Sequence, residues 1–88
     1  MAKRIVVLGG GISGYGSAIL AKKMGYDVFL TDAGTIPALY RSRLEQWGVE
    51  YEQGGHTAEK ILNATEVIKS PGIADKVPIV VAIREKGI

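Results

Sequence analysis

The sequence predicts an α/β fold in which a parallel β-sheet lies between two layers of helices. Three observations support this class. Segments with strand and helix patterns alternate along the 88 residues. The first strand, Arg4–Leu8, is apolar after its first residue, as is typical of a central parallel strand covered on both faces. A glycine-rich turn, Gly9–Gly14, then leads directly into a helix. Right-handed crossovers between such elements give a Rossmann-like sheet with the strand order 3-2-1-4.

The first helix is predicted from Ile12 to Met24, and Gly25 ends it. One face of this helix consists mostly of small residues at helical spacing and is predicted to pack close to the sheet: Gly14, Ser17, Ala18, Ala21 and Met24. The second strand is predicted at about Asp27–Thr31 and ends at Asp32.

The second helix is predicted to start near Thr35 and Pro37 and to end before Gly48. Three side chains at helical spacing define its buried face: Tyr40, Leu44 and Trp47. The charged side chains of this helix are expected on the surface: Arg41, Arg43 and Glu45.

The second half of the chain continues the alternation. Strands are predicted at Val49–Glu52 and Glu66–Lys69. Between them, Thr57 is expected to cap a short helix that ends at Leu62. A last helix is predicted at Pro78–Lys86. The sequence then stops where a fifth strand is expected, so the sheet is predicted to be truncated and residues 1–88 to be the N-terminal piece of a longer protein.

The composition limits the function classes. Hydrophobic residues make up 47% of the chain, which indicates a single small globular domain. The net charge of +2 is too small to indicate nucleic acid as a partner. The absence of cysteine excludes disulfides and thiolate metal sites, and no apolar run approaches the length of a membrane span. Met1–Arg4 leads into the first strand without an apolar leader, so a cytoplasmic protein with no membrane partner is expected.

The glycines of the first turn fit the spacing G-x-G-x-x-G between a strand and a helix. Gly9 lets the chain turn tightly, Gly11 lets a phosphate approach the backbone, and Gly14 lets the helix pack close to the strand. The free N–H groups at the helix start then form an anion site. The alternative is a glycine-rich turn that binds nothing.

The predicted topology brings three loops to the carboxyl edge of the sheet: Gly9–Gly14, Asp32–Thr35 and Ser70–Ile73. The first offers N–H donors to a phosphate, the second a carboxylate to a ribose hydroxyl or a base N–H, and the third a flexible backbone to a flat group. Together they predict a nucleotide site. Each loop also has a structural alternative, in which Asp32 caps its loop, Ser13 only starts the helix, and Ser70-Pro71-Gly72 is only a turn.

No catalytic constellation is visible in the sequence. The single histidine, His56, lies in a Gly-Gly-His-Thr turn and is not expected to be catalytic. There is no phosphate loop for a triphosphate, and the carboxylates form no cluster suited to Mg²⁺. We therefore expect these residues to bind a ligand and not to perform chemistry alone, with no catalytic and no metal-ligating residue among them.

The chain resembles the N-terminal domain of the Mur ligases of peptidoglycan synthesis. The resemblance lies in the glycine loop, in Asp32 and in the string Lys69-Ser70-Pro71-Gly72-Ile73. The resemblance covers essentially all 88 residues and is closest to the MurD-type ligases, which add D-glutamate to UDP-N-acetylmuramoyl-L-alanine. The Lys-Ser-Pro-Gly-Ile string is its most specific part, because the glycine loop alone does not separate these ligases from dehydrogenases.

The resemblance implies a monomeric three-domain bacterial enzyme that is an ATP-dependent amide ligase of cell-wall biogenesis. Its N-terminal domain holds the UDP part of UDP-N-acetylmuramoyl-L-alanine. ATP, Mg²⁺ and D-glutamate bind to the two later domains, so residues 1–88 alone are expected to be inactive and to hold no cofactor.

The resemblance also implies roles for particular residues, all at the three loops. The diphosphate is expected at the first helical turn, and the uridine at the other two loops. The implied binding residues are Gly11, Ile12, Ser13, Gly14, Asp32, Ala33, Gly34, Ser70, Pro71 and Gly72. Related enzymes frequently have hydroxyl or basic side chains at the positions of Ala33 and Gly34, so only backbone contacts are expected there. Thr35 is a further candidate for a side-chain contact with the uridine.

Two other functions fit parts of the same pattern. An NAD(H)-binding module of a dehydrogenase or of a regulatory sensor has the same glycine loop followed by an acid. A scaffold domain that binds nothing is the third possibility, but it leaves the convergence of three loops without a purpose.

Overall fold

Four parallel strands form the central sheet of the computed structural model, which describes residues 3–88. They are β1 (Arg4–Leu8), β2 (Asp27–Asp32), β3 (Glu50–Gln53) and β4 (Glu66–Lys69), in the spatial order β3-β2-β1-β4. The predicted fold class and strand order are thus confirmed. Met1 and Ala2 lie outside the described residues, and with them the start of the segment that we expected to lead into β1.

Four helices connect and cover the strands: α1 (Ile12–Lys23), α2 (Ala38–Gln46), α3 (Ala58–Ile61) and α4 (Pro78–Glu85). The side chains of the sheet alternate between two cores. Ile5 and Val7 of β1 pack with α1 and α2 on one face, whereas Val6 and Leu8 pack with α3 and α4 on the other. Because β1 is buried on both faces, its apolar sequence is explained. Within residues 3–88 no helix is both long enough and apolar enough to cross a bilayer.

The register of the sheet aligns the ends of three strands. Leu8 at the end of β1 lies opposite both Thr31 of β2 and Lys69 of β4. The backbone continues this alignment, since the Gly9 N–H donates to the Thr31 carbonyl at 2.8 Å and the Ser70 N–H donates to the Leu8 carbonyl at 2.9 Å. The loops that follow β1, β2 and β4 therefore leave the sheet side by side.

The side chain of Arg4 joins neighbouring segments at the opposite edge of the sheet, where the strands begin. Its guanidinium donates to the Asp27 carboxylate at 2.9 Å, to the Lys60 carbonyl at 2.8 Å and to the Asn63 amide oxygen at 2.9 Å. These bonds join β1, β2 and the α3 region. The basic side chain that begins the first strand is therefore structural and lies far from the carboxyl edge.

The predicted element bounds agree with the structure to within about three residues, but three side-chain predictions are wrong. Trp47 is 45% exposed, because α2 ends at Gln46 and Val49 takes the next core position after Leu44. Met24 is 64% exposed, because it lies in the turn after α1. Thr57 forms no side-chain cap on α3, since its hydroxyl donates to the Glu52 carboxylate at 2.6 Å.

The close approach of α1 to β1 depends on the lack of a side chain at Gly14. A Cβ atom at this position would collide with the Gly9 carbonyl oxygen. Gly9 itself has a φ of +108°, a conformation that L side chains rarely adopt, so the turn between strand and helix also requires glycine there. The structure thus confirms the packing role predicted for Gly14 and the turning role predicted for Gly9.

The Gly14→Ala substitution is expected to lower the free energy of unfolding by about 2 kcal/mol, because the added methyl group overpacks the helix–strand contact. Gly16→Ala is the matched control on the same helix, since a Cβ atom there meets no atom within 4 Å. This control is expected to raise stability by about 0.5–1 kcal/mol through helix propensity. Urea unfolding followed by circular dichroism measures both, and equal effects of the two substitutions would contradict the packing argument.

Candidate functional site

A cleft of about 470 Å³ lies at the carboxyl edge of the sheet, where the three aligned loops meet. Residues from all three loops line it, among them five of the predicted site residues: Gly11, Asp32, Ala33, Ser70 and Gly72. Gly9 and the apolar side chains of Ile73 and Val77 complete much of the wall. The structure therefore brings together groups that are up to about 60 residues apart in the sequence.

A second, smaller cavity of about 240 Å³ lies beside β4 and shares Ser70 with the cleft. Ser13, Gly14 and Pro71, which the sequence assigned to the same site, line this second cavity instead. The remaining predicted residues line neither cavity. Ile12 is 76% exposed at the start of α1, and Gly34 and Thr35 are exposed after β2.

The first turn of α1 lies at the carboxyl edge of the sheet. Gly11 occupies the N-cap position, no side chain caps the helix, and the first turn carries no acidic residue. A Cβ atom at Gly11 would meet no atom within 4 Å, so the space above its backbone is open. Uncapped N–H groups and the positive end of the helix dipole make such a terminus suited to an anion.

The carboxylate of Asp32 connects the first two loops. One oxygen accepts a hydrogen bond from the Gly10 N–H at 2.7 Å, and the other accepts one from the Gly34 N–H at 2.8 Å. The structural alternative that we considered for Asp32 is therefore part of its role, because the side chain holds both loops. A carboxylate has about four acceptor positions, so these two bonds leave capacity for a ligand.

Lys69 holds the third loop, a role that the sequence analysis did not identify. Its ammonium group donates to the Ile73 carbonyl at 2.7 Å, and it lies 3.6 Å from the Asp75 carboxylate. Arg84 of α4 pairs with the same carboxylate at 3.1 Å. These contacts tie the Ser70–Ile73 turn to the rest of the fold, and a lysine directly before this turn was the sequence signal for them.

A partly buried polar network lies on the β3 side of the cleft. The hydroxyl of Thr31, which is 0% exposed, lies 3.1 Å from the Glu52 carboxylate, 3.2 Å from the Gly55 carbonyl and 2.8 Å from Nδ1 of His56. His56 also lines the cleft. The sequence does not predict this network, because its members come from separate elements. The one indication in the sequence is a threonine within the apolar part of β2.

The network shifts the titration of Glu52. Partial burial by itself raises the pKa of this carboxyl group, but hydrogen bonds from the Thr57 hydroxyl, the Thr57 N–H and the Thr31 hydroxyl outweigh that effect. The pKa of Glu52 therefore lies below its ordinary value of 4.5. The charged form of Glu52 is thus part of the folded structure.

The arrangement offers binding groups for an anion and for a polar ring beside it. Gly11 at the N-cap of α1, Asp32, and Ser70, Gly72 and Ile73 of the third loop line one cleft, and the uncapped first turn of α1 follows directly after Gly11. Among residues 3–88, no group of three or more His, Asp or Glu side chains is placed to hold a metal ion.

Residues 3–88 match the protein family described as Mur ligase MurD-like, N-terminal domain. Similar curated proteins are named UDP-N-acetylmuramoylalanine–D-glutamate ligase. The one from Christiangramia forsetii is 56% identical over 88 residues, and the match covers 100% of this chain and 20% of the relative. The one from Bacteroides fragilis is 49% identical over 85 residues, covering 97% and 19%. The chain thus spans about a fifth of the length of these relatives.

A solved structure has the same fold. It is a pseudomurein peptide ligase type C from Methanothermus fervidus, with a TM-score of 0.82 and 27% sequence identity. The match covers 96% of this chain and 17% of that chain.

The Glu52→Gln substitution is expected to lower stability at neutral pH by about 1 kcal/mol and to flatten its dependence on pH. The pKa of Glu52 is lower in the folded chain than in the unfolded chain. The charged Glu52 therefore stabilises the fold fully above about pH 4.5, and this stabilisation is lost as the pH falls from there through the folded-state pKa. Urea unfolding of both proteins between about pH 7 and pH 3 measures the difference. Parallel stability curves would show that Glu52 contributes nothing to acid sensitivity.

Proposed function

The chain belongs to the MurD-like N-terminal domain family of the Mur ligases, and from this we infer that it binds the UDP part of UDP-N-acetylmuramoyl-L-alanine. The observation that carries the proposal is the convergence of three loops on one cleft beside an uncapped helix N-terminus. A nucleoside diphosphate has an anionic part and a flat polar part, and the cleft offers complementary groups to both.

The diphosphate is placed at the first turn of α1. Gly11 leaves room for a phosphate oxygen to approach the backbone, and the N–H groups of Ile12 and Ser13 belong to the uncapped turn. No acidic side chain of that turn opposes a negative charge. Gly14 acts indirectly, because its close packing fixes where this turn lies.

The uridine is placed between the second and third loops. The carboxylate of Asp32 can accept a hydrogen bond from a ribose hydroxyl or a base N–H, and Gly72 presents backbone without a side chain. Ile73 and Val77 supply an apolar wall for the flat face of a base. Ala33 lines the cleft and offers no polar side-chain group.

For the whole protein we propose the activity named for its relatives. The complete chain would be an ATP-dependent ligase that joins D-glutamate to UDP-N-acetylmuramoyl-L-alanine in peptidoglycan synthesis. Sites for ATP, Mg²⁺ and D-glutamate would then lie outside residues 1–88, and these residues alone would bind the nucleotide without turning it over.

An NAD(H)-binding module is the second candidate, because the glycine loop and Asp32 at the end of β2 suit a dinucleotide. Calorimetric titration of the chain with UDP-N-acetylmuramoyl-L-alanine, and with NAD in parallel, separates the two functions. Tighter binding of the UDP compound supports the ligase domain. Tighter binding of NAD would overturn it, and saturable binding of either compound would exclude a scaffold that binds nothing.

Gly11→Val is expected to reduce the affinity for UDP by at least about tenfold, because the side chain occupies the space above the first turn of α1. The substitution also replaces a favourable N-cap residue, so circular dichroism must show that the helix is retained. Gly16→Val is the matched control, since this glycine also has open surroundings but lies outside the cleft. Unchanged affinity of Gly11→Val would place the phosphate elsewhere.

Asp32→Ala is expected to weaken UDP binding by about 1–2 kcal/mol, because a hydrogen bond from the nucleoside is lost and the two loops are released. Asp27→Ala is the control at the other end of β2, where the carboxylate pairs with Arg4. It is expected to change stability and to leave the dissociation constant for UDP unchanged. If both variants bind UDP as the unsubstituted chain does, Asp32 has only a structural role.

A further inference from the structure

We propose that Nε2 of His56 accepts a hydrogen bond from the nucleoside part of the ligand, and that this residue contributes to the choice of nucleotide. The inference rests on the proposed function, because it concerns the same cleft. It assigns a binding role to His56, which the sequence indicated only to be non-catalytic. The donor on the ligand would be the imide N–H of the base or the 2′-hydroxyl of the ribose.

The role of His56 is inferred from the polar side chains that line the cleft. Among the described residues that form it, only Asp32, His56 and Ser70 have polar side chains. Asp32 already holds Gly10 and Gly34, and Ser70 packs against the Gly9 backbone, where an added Cβ atom would lie 2.8 Å from the Ser70 Cβ atom. The imidazole of His56 is therefore the largest polar side-chain group available to a ligand in the cleft.

The hydrogen bonds of Thr31 determine which ring nitrogen carries the proton. Its hydroxyl has one proton and three polar neighbours, and two of these, the Glu52 carboxylate and the Gly55 carbonyl, can only accept. His56 Nδ1 at 2.8 Å is the one neighbour that can donate to the Thr31 oxygen. Both groups are satisfied when Thr31 donates to an acceptor and Nδ1–H donates to Thr31.

This assignment leaves Nε2 as the acceptor of the neutral ring. Within residues 3–88 the structure pairs Nε2 with no protein group. His56 lines this cleft as well as a neighbouring cavity beside Pro78 and Ala82. In the proposed contact, Nε2 of His56 is the second acceptor for a nucleoside, beside the carboxylate of Asp32. Two acceptors suit a ligand with donors, and a uridine offers the imide N–H of its base and the hydroxyls of its ribose.

The decisive experiment uses the fact that the chain has a single histidine, so that its ring signals need no assignment. Long-range ¹H–¹⁵N spectra of the labelled chain at about pH 8, above the ordinary titration range of imidazole, report which nitrogen is protonated. We expect protonated Nδ1 and unprotonated Nε2. Addition of UDP is expected to move the Nε2 signal with the same dissociation constant as the Gly11 amide.

Two results of this titration would overturn the proposal. One is an unprotonated Nδ1 in the free chain. The other is an Nε2 signal that stays in place while the Gly11 amide moves, which would leave the proposed function intact and remove only His56. If neither signal moves with UDP, the proposed function fails and the inference fails with it.

Substitutions provide an independent test through affinity. His56→Phe keeps an aromatic ring but cannot accept a hydrogen bond, and it is expected to bind UDP about fivefold more weakly. Thr57→Ala is the matched control, because Thr57 bonds to Glu52 in the same network but does not line the cleft. Equal losses in both variants would show that His56 acts only through the network and would overturn the proposal.

Two further ligands identify the donor. CDP lacks the imide N–H, and dUDP lacks the 2′-hydroxyl. If the base N–H is the donor, the unsubstituted chain prefers UDP to CDP and His56→Phe loses that preference. If the 2′-hydroxyl is the donor, the preference for UDP over dUDP is lost instead. A His56→Phe variant that ranks the three nucleotides as the unsubstituted chain does would contradict the proposed contact.

Discussion

The contact between Gly14 and the Gly9 carbonyl oxygen is the constraint on which the rest of the structure depends. It brings the start of α1 against the end of β1, so that an uncapped helix terminus faces the carboxyl edge. The aligned ends of β1, β2 and β4 then deliver the other two loops to the same place. A side chain at Gly14 would displace the helix, and with it the N–H groups that we propose bind the diphosphate.

Much of the fold and the outline of the site followed from the sequence, because both depend on local patterns and on chirality. The order of elements sets the strand order, and the spacing of Gly9, Gly11 and Gly14 sets the first loop. What could not be predicted depends on exact helix ends and on side-chain contacts between elements, which the local pattern does not encode. Trp47 continued the helical pattern of α2, yet the chain leaves the helix before it. Thr57 donates its hydroxyl to the Glu52 carboxylate instead of accepting a hydrogen bond from the N–H groups at the start of α3.

Asp32 shows that a structural role and a position in the candidate site need not be alternatives. Its two hydrogen bonds fix the backbones of the first and second loops, and the same carboxylate lines the cleft. Lys69 has the corresponding function at the third loop through the Ile73 carbonyl. The groups that a nucleotide would contact are thus held in place before it binds, which lowers the ordering cost of association. The pseudomurein peptide ligase has the same fold although its sequence is only 27% identical. This agrees with a fold that is determined mainly by the packing of its core.

The position of Trp47 also has an optical consequence. It is the only tryptophan of the chain, it is 45% exposed at the end of α2, and the Lys23 ammonium lies 4.6 Å from its ring centre. Its indole is therefore already in contact with water in the native state, at the outer side of the α1–α2 layer and away from both hydrophobic cores. Intrinsic tryptophan emission would thus report on the surface between these two helices and respond only weakly to events in the cleft.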